Sequence, residues 1–286
     1  ITGADVYFIA GQSNAAGCSD FYRNDKATFN LSGKWLTKAK SGIYTKGFPN
    51  VSYFGFGGVS SVESAGTRFL TELVPVKVAQ GSNYVSEFGP ELGMAEYLST
   101  HYGPGSENPN RVAVIVKYAV GAASLIGEQA ASWCSWCAPS YQKANNITIF
   151  GQDLYHNMVG TSTDYSTGVV YKAFDAMKAK GYTDIDLKGF YWSQGEAECN
   201  ESDYAKHGPA LEAFITDMRK DLDLASNSFM SANTSVNIAG ATDLDFLISE
   251  IAPTFSNSIK LADGTSSNQY IREVVKAQKA VAEKLS

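Results

Sequence analysis

The 286-residue chain carries 23 Lys and Arg against 29 Asp and Glu, a formal charge of −6, and only 18% of its residues are charged. That balance argues against nucleic acid or an anionic membrane surface as a partner, since both reward clustered cations. No apolar run approaches the ~18–20 residues needed to span a bilayer, and the length suits one α/β domain with a large core.

The chain opens on Ile1-Thr2-Gly3 with neither a methionine nor an apolar leader, which reads as a mature or trimmed form of a secreted protein. Val6-Tyr7-Phe8-Ile9-Ala10 is an unbroken apolar run without helical period, expected to form a strand buried on both faces. Gly11-Gln12-Ser13-Asn14 then turns into the small residues Ala15-Ala16-Gly17, where a helix can begin close against a sheet. Residues 19 to about 85 read as long connections around a strand near Val51–Phe56, with a second segment near Phe69–Val76. Their aromatic residues Tyr22, Trp35, Tyr44, Phe48, Tyr53 and Phe54 are candidates to stack on sugar rings, with ordinary packing as the competing reading for each.

Pro90 and Glu91 open a helix in which Leu92, Ala95, Tyr97 and Leu98 follow at helical spacing. Val112–Ala119 reads as a second buried strand, and 126–165 as an insertion containing Trp133-Cys134-Ser135-Trp136-Cys137 and a short helix around Asp153–Met158. An amphipathic helix over Val169–Lys180 ends at Gly181, and Leu187–Ser193 is the next strand. Asp203–Leu224 is a further amphipathic helix, Val236–Ala241 and Phe246–Ile251 supply one or two strands, and Gln269–Leu285 closes the chain as a helix. Without repeats or linkers, strands alternating with helices predict a single three-layer domain around a doubly wound parallel sheet, with ligand contacts at its carboxyl edge.

Three apolar strands thus run into glycine-containing turns: at Gly11, at Gly121-Ala122-Ala123-Ser124, and at Gln194-Gly195-Glu196. A serine at such an edge, beside a helix N-terminus, can attack a carbonyl while neighbouring N–H groups hold the oxyanion. Four cysteines permit three pairings. Cys134-Ser-Trp-Cys137 can be read as a redox pair, half a zinc site or a short-loop disulfide, although no second Cys or His pair completes a zinc site. If the two outer turns share a sheet edge, a Cys18–Cys199 bridge would staple them and leave Cys134–Cys137 as the second, implying an oxidising compartment.

In Gly11-Gln12-Ser13-Asn14, Ser86-Glu87-Phe88-Gly89-Pro90-Glu91-Leu92, the Lys117 to Leu125 stretch and Trp192-Ser193-Gln194-Gly195-Glu196, the sequence resembles the SGNH-type hydrolases. The similarity is to their carbohydrate-esterase branch, which includes sialate O-acetylesterases and acetylxylan esterases. The blocks fall in that family's order and reach to about Arg219. The resemblance implies a flavodoxin-like α/β/α domain over residues 1–286 and a secreted serine hydrolase that removes acetyl groups from sialic acid or plant-type polysaccharide. It implies Ser13 as nucleophile, with Ser13, Gly121 and Gln194 lining the oxyanion hole. Gln12, Asn14 and Glu196 bind substrate or support the turns, and neither metal nor organic cofactor is required.

The family also places an Asp-X-X-His pair near the C-terminus, and here the sequence departs from it. The three histidines are His101, His156 and His207. His101 reads as a solvated helix cap and His207 as exposed, while Asp153-Leu154-Tyr155-His156 has the spacing but precedes the Gln194 strand. Two expectations follow: either the segment with the pair lies outside this sequence, or the chain has kept the fold as a catalytically inactive glycan-binding or structural protein.

Overall fold

The structure is a computed structural model describing residues 1–20, 33–58, 72–78, 80, 87–128, 133–149 and 151–285. Tyr22, Ser86, residues 69–71 of the Phe69–Val76 segment and the side chain of Trp35 lie outside the described residues.

The N-terminal half runs β1 (Gly3–Gly11), α1 (Ser13–Ala16), β2 (Ser19–Asp20), α2 (Gly33–Ser41), α3 (Ile43–Lys46), β3 (Val51–Gly58), β4 (Val74–Pro75), β5 (Glu87–Phe88), α4 (Pro90–Leu98) and β6 (Arg111–Val120). The remainder is β7 (Cys134–Ser135), α5 (Pro139–Asn145), β8 (Gln152–Asp153), α6 (Leu154–Val159), α7 (Val169–Ala179), β9 (Asp184–Ser193), α8 (Tyr204–Ala232), β10 (Asn237–Ala239), β11 (Phe246–Ile248) and α9 (Gln269–Leu285). The main sheet has the order β10-β9-β1-β6-β3-β4, with β11 also on β9. All its pairings are parallel except β3 with β4, a two-residue edge strand that contains Pro75.

β1 lies at the middle, between β6 and β9, and that position explains its sequence. A strand covered on both faces has no solvent side, so apolar residues need not alternate with polar ones. Val6, Phe8 and Ala10 join the core formed with Met158, Phe174 and Phe214 of α6, α7 and α8. Ile9 faces the other layer, with Tyr44, Leu92 and Ala95 of α3 and α4. Tyr44, Phe48, Tyr53 and Phe54 are buried in these two cores rather than presented to a sugar, a correction that follows from their place on α3, β3 and the turn between them.

The two C-terminal strand segments are one edge in two pieces. Asn237 aligns with Asp184 and Phe246 with Phe190, both along the outer side of β9. α9 packs on α8, and Ile271 and Val274 form a small core with Ile251.

Candidate active site

At Gly11 the backbone adopts φ +135°, and a Cβ there would stand 2.0 Å from Ser193 O. The residue must be glycine because β9 crosses too closely for any side chain. The turn is pinned on both sides: Gln12 N donates to Ser193 O (2.9 Å), and the buried Trp136 indole donates from Nε1 to Gly11 O (3.0 Å). Gln12 is buried, and its Oε1 has no hydrogen-bond partner among the described residues.

Ser13 is the first residue of α1 and half-buried, while Ala15 and Ala16 behind it are fully buried. Only such small residues let the helix sit directly on the sheet. The Ser13 carbonyl accepts from Gly17 N at 2.8 Å and Cys18 Sγ at 3.3 Å. Its hydroxyl makes no hydrogen bond among the described residues. The first N–H groups of any helix lack intrahelical acceptors, so α1 presents donors beside this hydroxyl.

Beneath α1 lies a buried ion pair. Lys117 Nζ stands 2.7 Å from Glu91 Oε2 and donates to Ala16 O at 2.7 Å, while Glu91 Oε1 accepts from Gly89 N at 2.8 Å. Both side chains are fully buried, and burial pulls the Lys117 pKa down against the pull of Glu91. The Ser86–Leu92 block and Lys117 therefore act as support for the serine helix.

The turn after β9 reaches the serine helix at Asn14, whose Nδ2 donates to Glu196 Oε1 at 2.7 Å. Burial pushes the Glu196 carboxyl above its usual range, with its own backbone N–H and Asn14 pulling back. Gln194 is buried too, and its amide donates to Ala123 O (3.1 Å) and Glu198 Oε2 (2.6 Å). Both of its hydrogens are thus taken up inside the protein. In the turn after β6, Gly121 O lies 4.0 Å from Cys134 Sγ, and Ala122 adopts φ +59°, a left-handed conformation that costs a side-chain-bearing residue ~1–2 kcal/mol.

None of the three histidines hydrogen-bonds to Ser13. His101 follows α4 toward the start of β6, the opposite edge of the sheet, where its Nδ1 contacts Tyr97 O at 2.8 Å. His156 is held by Asp153, which accepts from its backbone N–H as the α6 cap and lies 2.7 Å from its Nδ1. That hydrogen bond raises the imidazole pKa, with burial opposing. His207 is fully buried, not exposed: it lies on the inward stripe of α8 with Ala210, Leu211 and Phe214. Its i+3, i+4 and i+7 spacing to those residues was the signal for this. Between β11 and α9 stands Asp263-Gly264-Thr265-Ser266, the spacing of the resembled pair with serine in place of histidine. Asp263 Oδ1 there accepts from Thr265 N and Oγ1.

All four cysteines are outside any disulfide, so neither the Cys18–Cys199 nor the Cys134–Cys137 bridge is formed. The thiols are turned to different carbonyls: Cys18 to Ser13 O, Cys199 to Gly195 O, Cys134 to Gly121 O and Cys137 to Ala138 O. Burial pushes Cys134, Cys137 and Cys199 up to about 12, whereas Cys18 is exposed. Because the thiolate is the nucleophile, iodoacetamide at pH 8 is expected to add once to the native protein, at Cys18, and four times in urea. Intact mass reads the adducts, and two or more on the native chain would contradict the geometry.

Among the described residues, no group of three or more His, Cys, Asp or Glu is placed to hold a metal ion, and no helix is long and apolar enough to cross a membrane. A cavity of about 660 Å³ lies along β9 and β11, lined by Tyr7, Tyr191 and Phe246 among others, but not by Ser13. Its position away from the three converging turns separates it from the candidate chemistry.

The sheet order, with helices packed on both faces and a serine turn at its carboxyl edge between the turns after β6 and β9, defines a three-layer α/β domain. The family model described as carbohydrate esterase, sialic acid-specific acetylesterase, matches residues 3–242, and the chain belongs to that family. Similar solved structures include a protein from Arabidopsis thaliana (15% identity, 99% of this chain and 99% of that chain, TM-score 0.43). Two others are NanS (14%, 99% and 97%, 0.45) and a carbohydrate acetylesterase from Xanthomonas citri (14%, 98% and 47%, 0.45), of which this chain spans about half the length. No curated protein matches the chain.

Proposed function

We propose that the chain is a carbohydrate O-acetylesterase, removing acetyl groups from sialic acid or a plant-type polysaccharide through an acyl-enzyme on Ser13. The observation that carries this reading is the Ser13 hydroxyl itself. It is half-buried, without a hydrogen bond among the described residues, and fixed at the carboxyl edge by Gly11 and by Asn14 on Glu196. Ser13 Oγ attacks the ester carbonyl, and the oxyanion is received by N–H groups of α1 and of the turn at Gly121. Collapse breaks the bond from the acyl carbon to the sugar oxygen, which leaves as the alcohol with the proton given up by Ser13; water then attacks acetyl-Ser13, returns a proton to Oγ and releases acetic acid, which ionises to acetate.

A second reading rests on a different observation: no imidazole hydrogen-bonds to Ser13 to take that proton, and Ser266 occupies the fourth position of the Asp263 stretch. On this reading the fold serves to bind acetylated glycans. Hydrolysis of 4-nitrophenyl acetate separates the two. Ser13→Ala is expected to reduce turnover by roughly 10⁴-fold or more with unchanged circular dichroism. Wild-type protein that binds an acetylated glycan yet turns over no acetyl ester would decide for the second.

A further inference from the structure

Glu198 is fully buried in the short turn after Gln194. Its Oε1 accepts from Leu125 N at 2.8 Å and Ser124 Oγ at 3.1 Å, both in the turn after β6. Its Oε2 accepts from Gln194 Nε2 at 2.6 Å, in the turn after β9. β1, which leads into Ser13, runs between β6 and β9, so one carboxylate ties together the two turns that flank the serine. Further groups close around this tie: Gln278 of α9 donates to Gln194 O at 3.0 Å, and His207 Nδ1 stands 3.5 Å from Glu198 Oε2. A buried carboxylate is costly unless hydrogen-bonded, and these three donors satisfy it.

We infer that Glu198 is a positioning residue for the ester chemistry at Ser13: by accepting at both oxygens, it sets the separation of the turns on either side of the developing oxyanion. The inference rests on the esterase reading above. Only a carboxylate accepts at both ends. Glutamine at 198 presents its NH₂ either to Leu125 N, donor against donor, or to Gln194, whose amide must then turn its Oε1 to meet it and give up the bond to Ala123 O, so one tie between the turns is lost either way. Oxyanion donors work over a few tenths of an ångström, and a displacement of about 1 Å is enough to cost on the order of 10²-fold in rate.

The test compares wild type with Glu198→Gln on 4-nitrophenyl acetate. A fall in kcat of about 10–100-fold with KM within about twofold is expected, because the tie affects the transition state more than ester binding. Alongside it, deuterium exchange at Leu125 N–H or the Gln194 side-chain amide, read by NMR, is expected to quicken at least tenfold or so, since a freed buried donor exposes its hydrogen. If Glu198→Gln does not fold, Glu198→Asp, too short to hold both turns, replaces it with the same readings. Unchanged kcat in an active protein, or a loss with neither amide released, overturns the role of Glu198 while leaving the esterase reading intact. A wild type inert toward every acetyl ester removes both.

Discussion

Lys117→Met is expected to destabilise the protein by about 3–5 kcal/mol, the usual cost of removing one partner from a buried ion pair. The Glu91 carboxylate would remain fully buried with Gly89 N as its donor, and Ala16 O would lose the ammonium that now caps it. Because Ala16 closes the serine helix, the loss falls on the support of Ser13 as well as on the core. Adding Glu91→Leu should recover much of the stability, since apolar replacement of a whole buried pair is often nearly neutral. Recovery should be incomplete because Gly89 N and Ala16 O stay without these partners. Urea unfolding measures both variants, and a single-variant loss below about 1 kcal/mol would mean that the pair is far more hydrated than its burial implies.

Gly11→Ala is expected to cost about 4 kcal/mol or more, enough to leave little native protein. The new methyl meets Ser193 O and C at 2.0 and 2.6 Å, and neither is a side chain that can swing away. Relief requires β9 to move off β1, the central pairing of the sheet, or the backbone to leave φ +135° and carry Gln12 and Ser13 with it. Soluble expression and the urea midpoint report the outcome. A variant within about 1 kcal/mol of wild type would show that β1 and β9 can separate locally without loss of the fold.

The strands and helices that build the sheet were legible because burial leaves a periodic trace. β1 and β6 are covered on both faces and read as continuous apolar runs, while α7, α8 and α9 show their inward stripes. What sequence spacing does not record is contact between distant positions. Nothing in residues 91 and 117 announces that they form an ion pair beneath Ala16, nor that Glu198 reaches Leu125. The aromatic residues of α3 and β3 show the same limit: a tyrosine suited to stacking on sugar is equally suited to a core, and the buried faces of these elements took them. The cysteines failed differently. That Cys18 and Cys199 follow neighbouring turns was a sound inference, yet adjacency of turns does not aim two thiols at each other.

The edges of the main sheet carry a further consequence. On one side β10 and β11 are three residues each, separated by 240–245; on the other, β4 is two residues long and one of them is Pro75. Long exposed edges invite neighbouring chains to add strands, and short or proline-bearing ones refuse them. Among the described residues, the outermost segments β4, β10 and β11 are each too short to offer an extended row of backbone donors and acceptors. At these segments a neighbouring chain finds little backbone to pair with, so copies that met there would do so through side chains rather than by lending one another a strand.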